Sequence, residues 1–176
     1  MDWAYSLPPN DIEIVHIRDW HDPDDPAQRE HLERFGPHCL KCTKGARLVL
    51  EMDDIAALRP NEHIVNSLTL NDFKDTNLEA YFRERLLHSK SASLRVGVMG
   101  VWTEAKVSFL LYELKTRLGI DCLATCSALT ASASRAQHFN ALSQLEKILG
   151  VQSFQSLAEF VDWLRPREPI WSCRGT

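Results

Sequence analysis

The chain has 176 residues, 44% of them apolar and 25% charged, the balance of an ordinary globular protein. A net charge of −4 gives no attraction to nucleic acid, and no apolar run is long enough to span a membrane. The opening MDWAYSLPPND is unlike a signal peptide and the five cysteines are odd in number, so one domain over residues 1–176 with free thiols in a reducing cytoplasm is expected.

Residues 1–10 read as an irregular lead-in, because Pro8-Pro9 resists regular structure. Ile12 to Ile17 is rich in β-branched residues and predicts a strand. It runs into Arg18-Asp19-Trp20-His21 and then a loop of Asp and Pro, Asp22 to Pro26. Ala27 to Phe35 predicts a short helix, ended by Gly36-Pro37, with a long loop through Ala46 behind it. Glu62 to Asn66 predicts a second strand. Thr76 to Leu87 predicts a helix with Leu78, Phe82 and Leu86 on one side.

The densest signal is Leu94 to Leu118. Its first seven residues are almost all apolar or small, as in a strand buried on both faces of a parallel sheet. Gly100 and Val101 turn the chain. Thr103 suits a helix N-cap, and Val107, Leu110, Leu111, Leu114 and Leu118 recur at helical spacing. Ile120 to Cys126 predicts another buried strand. A helix from about Ser132 to Leu149 follows, with Gly150 as its C-cap. The last helix is expected over Ser153 to Leu164, capped by Ser153 and stopped near Pro166. Strands alternating with helices predict an α/β fold with a mainly parallel sheet, whose sites lie at the carboxyl ends of the strands.

Two groups of residues carry chemistry. Asp19 and His21 lie two apart at a strand end, so their side chains can converge on one face, and His38 lies in a loop able to fold back over them. A carboxylate with two imidazoles is a common ligand set for zinc, iron or manganese, although Asp and His in a polar loop are more often simply solvated. Cys39 and Cys42 form a C-x-x-C pair. Cys122 and Cys126 are about 13 Å apart along one strand, so a four-cysteine zinc site is not expected, and Cys173 is left over.

The run Gly100-Val101-Trp102-Thr103-Glu104-Ala105-Lys106-Val107 resembles the Gly-x-x-Thr-(Asp/Glu)-x-Cys-Val turn of the isochorismatase-like cysteine hydrolases, which include the nicotinamidases. Lys106 stands where that family carries its nucleophilic cysteine. A helix dipole lowers a thiol pKa there but disfavours an ammonium, so Lys106 is expected to bend toward a carboxylate or out to water. Asp19-Trp20-His21 resembles the family's Asp-Trp-His element. Pro37-His38-Cys39-Leu40-Lys41-Cys42-Thr43-Lys44-Gly45-Ala46 resembles its Pro-x-His-Cys-x-x-Gly-Thr-x-Gly-Ala loop, except that the residue between Pro and His is absent and Cys42 replaces a glycine.

Over residues 12–160 the resemblance implies a Rossmann-like, three-layer α/β sandwich. It implies a divalent metal on Asp19, His21 and His38, holding the pyridine nitrogen of a substrate. It places an oxyanion hole at the backbone of Trp102 and Lys106, and a cis peptide at Val101-Trp102. The family's activating lysine falls nearest to Asn66 or Ser67, neither of them a lysine. Its aspartate lies on a first strand, in a run such as Val-Ile-Asp-x-Gln, which this sequence does not contain. Three explanations stay open: a misplaced start, a strand from a partner chain, or partial filling of the gap by Met1 to Asn10. Cys126 or a near neighbour stands where the family usually has an aspartate, another departure, and His138 suits packing better than chemistry.

The function implied is that of a family member degenerate in thiol catalysis, keeping a metal and small-molecule pocket. The alternatives are an active metal-dependent hydrolase of a small amide and a structural or oligomerisation module. Family members are commonly dimers or larger, so a homo-oligomer is expected. Phe160, Trp163 and Trp171 could cover an interface or cap the protein's own core.

Overall fold

The computed structural model describes residues 2–48, 62–88 and 94–165. Trp171 and Cys173 lie outside them. Among the described residues, five strands run parallel in two sheets. The first joins β1 (Val15–Asp19) to β2 (His63–Ser67), with Val15 opposite His63 and Asp19 opposite Ser67. The second is ordered β3 (Arg95–Val101), β4 (Cys122–Ala131), β5 (Gln152–Phe154). Among the described residues, no ladder joins the two sheets.

Alternation along the strands decides what covers each face. One face carries α3 (Leu78–His88), α4 (Ser108–Thr116) and α5 (Arg135–Leu149). Their Leu78, Phe82, Leu111, Leu114 and Leu145 form one core with Val65, Val98 and Leu123, against which Val15 and Ile17 pack. This core therefore spans both sheets. On the other face, α6 (Leu157–Leu164) lays Phe160 on Ala124 and Cys126. The result is a three-layer α/β sandwich. Phe160 is fully buried in its own core, and Trp163 is half-buried beside Phe154.

A short helix α1 (Asp2–Ser6) stands where an irregular lead-in was expected. Its Trp3 ring meets Phe160 edge-on at 6.2 Å. Its Tyr5 hydroxyl donates to Glu62 Oε1 at 2.6 Å and lies 3.0 Å from His16 Nε2. These contacts place α1 against both halves of the sandwich, so Met1 to Asn10 does not supply a strand among the described residues.

Several boundaries differ from expectation, each for a local reason. β1 is Val15–Asp19 rather than Ile12 to Ile17, because pairing with β2 starts at Val15. β4 starts at Cys122 and extends to Ala131, beyond Cys126. An irregularity between Val98 and Gly100 resets the register, so that Gly100 pairs with Thr130. Gly100 takes φ 138° there, a conformation that favours glycine. The helix at Ala27 to Phe35 is a 3-10 turn, Pro26–Gln28, followed by α2 (Arg29–Phe35). Ser153 caps no helix: it lies in β5, opposite Thr125. The cap of α6 is Ser156, whose Oγ accepts from the N–H of Glu159 and donates to its carboxylate. α5 begins at Arg135, capped by Ser134, and ends on Gly150 at φ 67° as expected.

Thr103 is not a cap either. Residues Thr103–Val107 form a π-helical turn that starts from Trp102, whose carbonyl accepts from Ala105 and Val107 at 3.1 and 3.2 Å. The buried Thr103 hydroxyl lies 2.9 Å from His138 Nδ1, which gives His138 a packing and hydrogen-bonding role.

A candidate metal centre beside a buried lysine

The two groups of residues singled out in the sequence meet at the carboxyl ends of β1, β2 and β3. The first is a cluster of imidazoles. His21 follows β1 by two residues and is completely buried. A parallel bridge to Leu40 brings the next loop alongside it: the His21 N–H donates to the Cys39 carbonyl at 3.0 Å, and the Lys41 N–H to the His21 carbonyl at 2.8 Å. That pairing delivers His38. The ring centroids of His21 and His38 are 4.6 Å apart.

His31 completes the cluster. It sits on α2, its ring 4.6 Å from that of His21, and its Nε2 is 3.4 Å from His38 Nε2. One ligand atom from each of His21, His31 and His38 lies within 4.8 Å of the others. Sequence reasoning placed the helix but missed this residue. The available signal was a third histidine seven residues before His38, on the helix that follows the Asp-Trp-His element.

Hydrogen bonds orient two of the rings. The Nδ1–H of His21 donates to Gln28 Oε1 at 3.0 Å, and Gln28 is itself tied to Asp25 Oδ2 at 2.9 Å. The Nδ1–H of His38 donates to the Gly36 carbonyl at 2.7 Å. This tautomer assignment follows from acceptors at both Nδ1 positions. Each Nε2 is then left as a lone pair. His21 Nε2 is buried and has no hydrogen-bond partner, which is costly unless something occupies it. Burial, then the neighbouring His21 and His38, push the His31 pKa below its ordinary value, which favours the neutral, ligating form. These features fit a divalent metal held by three imidazoles.

The second group centres on Lys106. Its side chain leaves the π-helical turn and bends toward carboxylates rather than water. Nζ lies 2.7 Å from Asp19 Oδ1 and 2.7 Å from Asp72 Oδ1, and donates to Ser67 Oγ at 2.8 Å and the Thr69 carbonyl at 2.9 Å. An ammonium has three N–H donors; Asp19, Ser67 and the Thr69 carbonyl take them, and buried Asp72 Oδ1 is an ion-pair contact without a hydrogen bond. Asp19 stands between the groups, its Oδ2 4.0 Å from His38 Nε2.

Asp72 and Thr69 were not singled out in the sequence. Asn71 fixes the loop that carries them: its Oδ1 accepts from the Phe73 N–H at 2.9 Å and its Nδ2 donates to Glu113 at 2.8 Å. Burial pushes the Asp72 carboxyl above its ordinary range, while Lys106 and then Ser67 pull it back. Ser67, not Asn66, faces this site. The exposed Asn66 accepts from Arg18 Nε at 2.8 Å. The Val101-Trp102 peptide is cis, and Trp102 and Lys106 sit at the start of the helical segment behind β3. Burial and then Asp19 push the Cys39 thiol up, with Lys106 opposing, so Cys39 is not an activated nucleophile.

A parallel sheet with its candidate ligands at the strand carboxyl ends defines a Rossmann-like α/β protein. The family model for the isochorismatase domain matches residues 7–160, and the chain belongs to that family. Its fold is similar to that of a nicotinamidase/pyrazinamidase from Bacillus subtilis, with TM-score 0.71 and 23% identity, covering 88% of this chain and 83% of that one. A pyrazinamidase/nicotinamidase from Streptococcus mutans gives TM-score 0.71 and 25% identity over 87% and 80% of the two chains. A pyrazinamidase of Pyrococcus horikoshii in complex with zinc gives 0.65 and 22%, over 88% and 82%. A search of curated proteins found no match.

Proposed function

We propose that this chain is an isochorismatase-family protein degenerate in thiol catalysis, keeping a divalent-metal pocket for a small molecule. The observation that carries the reading is the convergence of His21, His31 and His38, two of them with Nδ1 committed to protein acceptors. A divalent metal held there supplies a Lewis acid for a nitrogen or oxygen atom of the ligand. Asp19 is the nearby carboxylate, shared with Lys106.

Lys106 supports the loss of thiol chemistry. It holds the place of the family's cysteine; its ammonium bonds to Asp19, Ser67 and the Thr69 carbonyl and is ion-paired with Asp72. No lysine stands at Asn66 or Ser67. Among the described residues the two sheets share no ladder, as in a family sheet without its first strand, which would carry the activating aspartate.

The test is hydrolysis of nicotinamide and pyrazinamide by zinc-loaded native protein and by Lys106→Cys. Neither is expected to turn over, because the new thiol lacks its activating carboxylate and lysine. Strong amidase activity in Lys106→Cys would overturn this account. The same imidazoles favour the second reading, a metal-dependent hydrolase. Zinc-dependent turnover by the native protein that His38→Ala abolishes would establish it.

A further inference from the structure

We propose that Lys106 sets the metal preference of this site by holding Asp19 out of the ligand set, so that three imidazoles bind alone and zinc is favoured over manganese. The inference rests on the retained metal pocket argued above. Among the described residues, the group whose ligand atoms all lie within 4.8 Å of one another is His21, His31 and His38, without Asp19. The Nε2 atoms of His31 and His38 are 3.4 Å apart. That matches the spacing of about 3.4 Å between ligand atoms around a tetrahedral zinc. Asp19 falls outside it, with its Oδ2 4.0 Å from His38 Nε2.

Asp19 is held back through both its backbone and its carboxylate. It lies opposite Ser67 in the β1–β2 ladder, and the next residue, Trp20, donates its N–H to the Ser67 carbonyl at 2.9 Å. Its Oδ1 accepts from Lys106 Nζ at 2.7 Å. That ammonium is anchored in turn by Ser67 Oγ at 2.8 Å, by the Thr69 carbonyl at 2.9 Å and by its ion pair with buried Asp72. The Lys106 and Asp19 side chains are 16% and 26% exposed, so water screens their pair only in part. Turning the carboxylate onto a metal therefore breaks an ion pair that β2 and the loop behind it hold in place.

The consequence is a difference between metals. Imidazole nitrogen suits zinc, copper, nickel and iron, whereas manganese and magnesium favour carboxylate oxygen. A positive charge beside the site weakens every divalent cation alike. Withholding an oxygen ligand penalises manganese more than zinc. The ratio of the two affinities thus separates the positioning role of Lys106 from its charge and from its part in stability.

The experiment measures zinc and manganese dissociation constants by competition with a chelating dye, with folding checked by circular dichroism. It compares the full native chain, Lys106→Met, Asp19→Asn and the double variant. Lys106→Met is expected to narrow the preference for zinc roughly ten- to a hundredfold, the scale on which partners of a metal site change its affinity. Adding Asp19→Asn is expected to restore the native ratio. Asp19→Asn alone is expected to leave that ratio unchanged, an arm that stands even if Lys106→Met does not fold. A ratio unmoved by Lys106→Met, a shift that Asp19→Asn does not reverse, or a selective loss of manganese in Asp19→Asn alone would overturn the inference. In those cases zinc binding that His38→Ala abolishes keeps the metal pocket and removes only the role of Lys106. A native chain that binds neither metal removes both.

Discussion

Lys106 leaves its helix near an N-terminus, where peptide dipoles favour an anion, yet Asp19 and Asp72 hold it as a cation. Asp72 is the more deeply buried partner, its side chain 2% exposed. Lys106→Met therefore strands a buried carboxylate, and about 3–5 kcal/mol of stability should be lost at neutral pH, read from urea unfolding. The pH dependence follows from the raised Asp72 pKa. A carboxyl with a raised native value takes its proton first in the folded state. Its contribution thus favours the fold at acid pH and is lost as pH rises through the native value. Removing the opposing Lys106 enlarges that effect. The deficit of Lys106→Met should shrink as pH falls from neutral toward about 5, and a constant deficit would contradict the account. That Lys106 would bend toward a carboxylate or out to water was legible from helix electrostatics, but the choice between them was not. Asp72 was not, because its role depends on how the Thr69–Asn71 loop folds.

Packing between elements sets the next set of outcomes. α6 lies so close to β3 that a Cβ built on Gly97 falls 2.5 Å from Phe160 Cζ and 3.0 Å from Leu164 Cδ2. Gly97→Ala should cost about 1–3 kcal/mol through overpacking, measured as a lower urea midpoint; an unchanged midpoint would show that α6 yields. The sequence predicted α6 but started it at Ser153. Both Ser153 and Ser156 are sound caps. The choice is made by β5, three residues whose pairing with Ala124 to Cys126 leaves little periodic signal. α1 was missed because five residues beside Pro8-Pro9 carry no pattern; Trp3 and Tyr5 create it through distant partners.

At the scale of the molecule, two sheets without a shared ladder are joined by a common core, by Lys106 and by α1. If α1 helps to join the halves, Trp3→Ala should cost about 2 kcal/mol, roughly half the penalty of a fully buried ring, because Trp3 is half-buried. Unfolding should stay a single transition that shifts earlier, and an unshifted one would show that α1 is not part of the join. The parallel α/β class was legible from the alternation of strands and helices, whereas the two-sheet division required the pairing itself. Likewise Asp19, His21 and His38 could be read from strand-end spacing and motif, but His31 depended on where α2 packs. The most direct test of a retained metal pocket is the metal content of the purified, dialysed protein, beside His38→Ala and His31→Ala. The account predicts stoichiometric divalent metal in the native chain and its loss in both variants. A native chain that binds none even when offered zinc, or variants that keep it, would contradict the assignment of the three imidazoles.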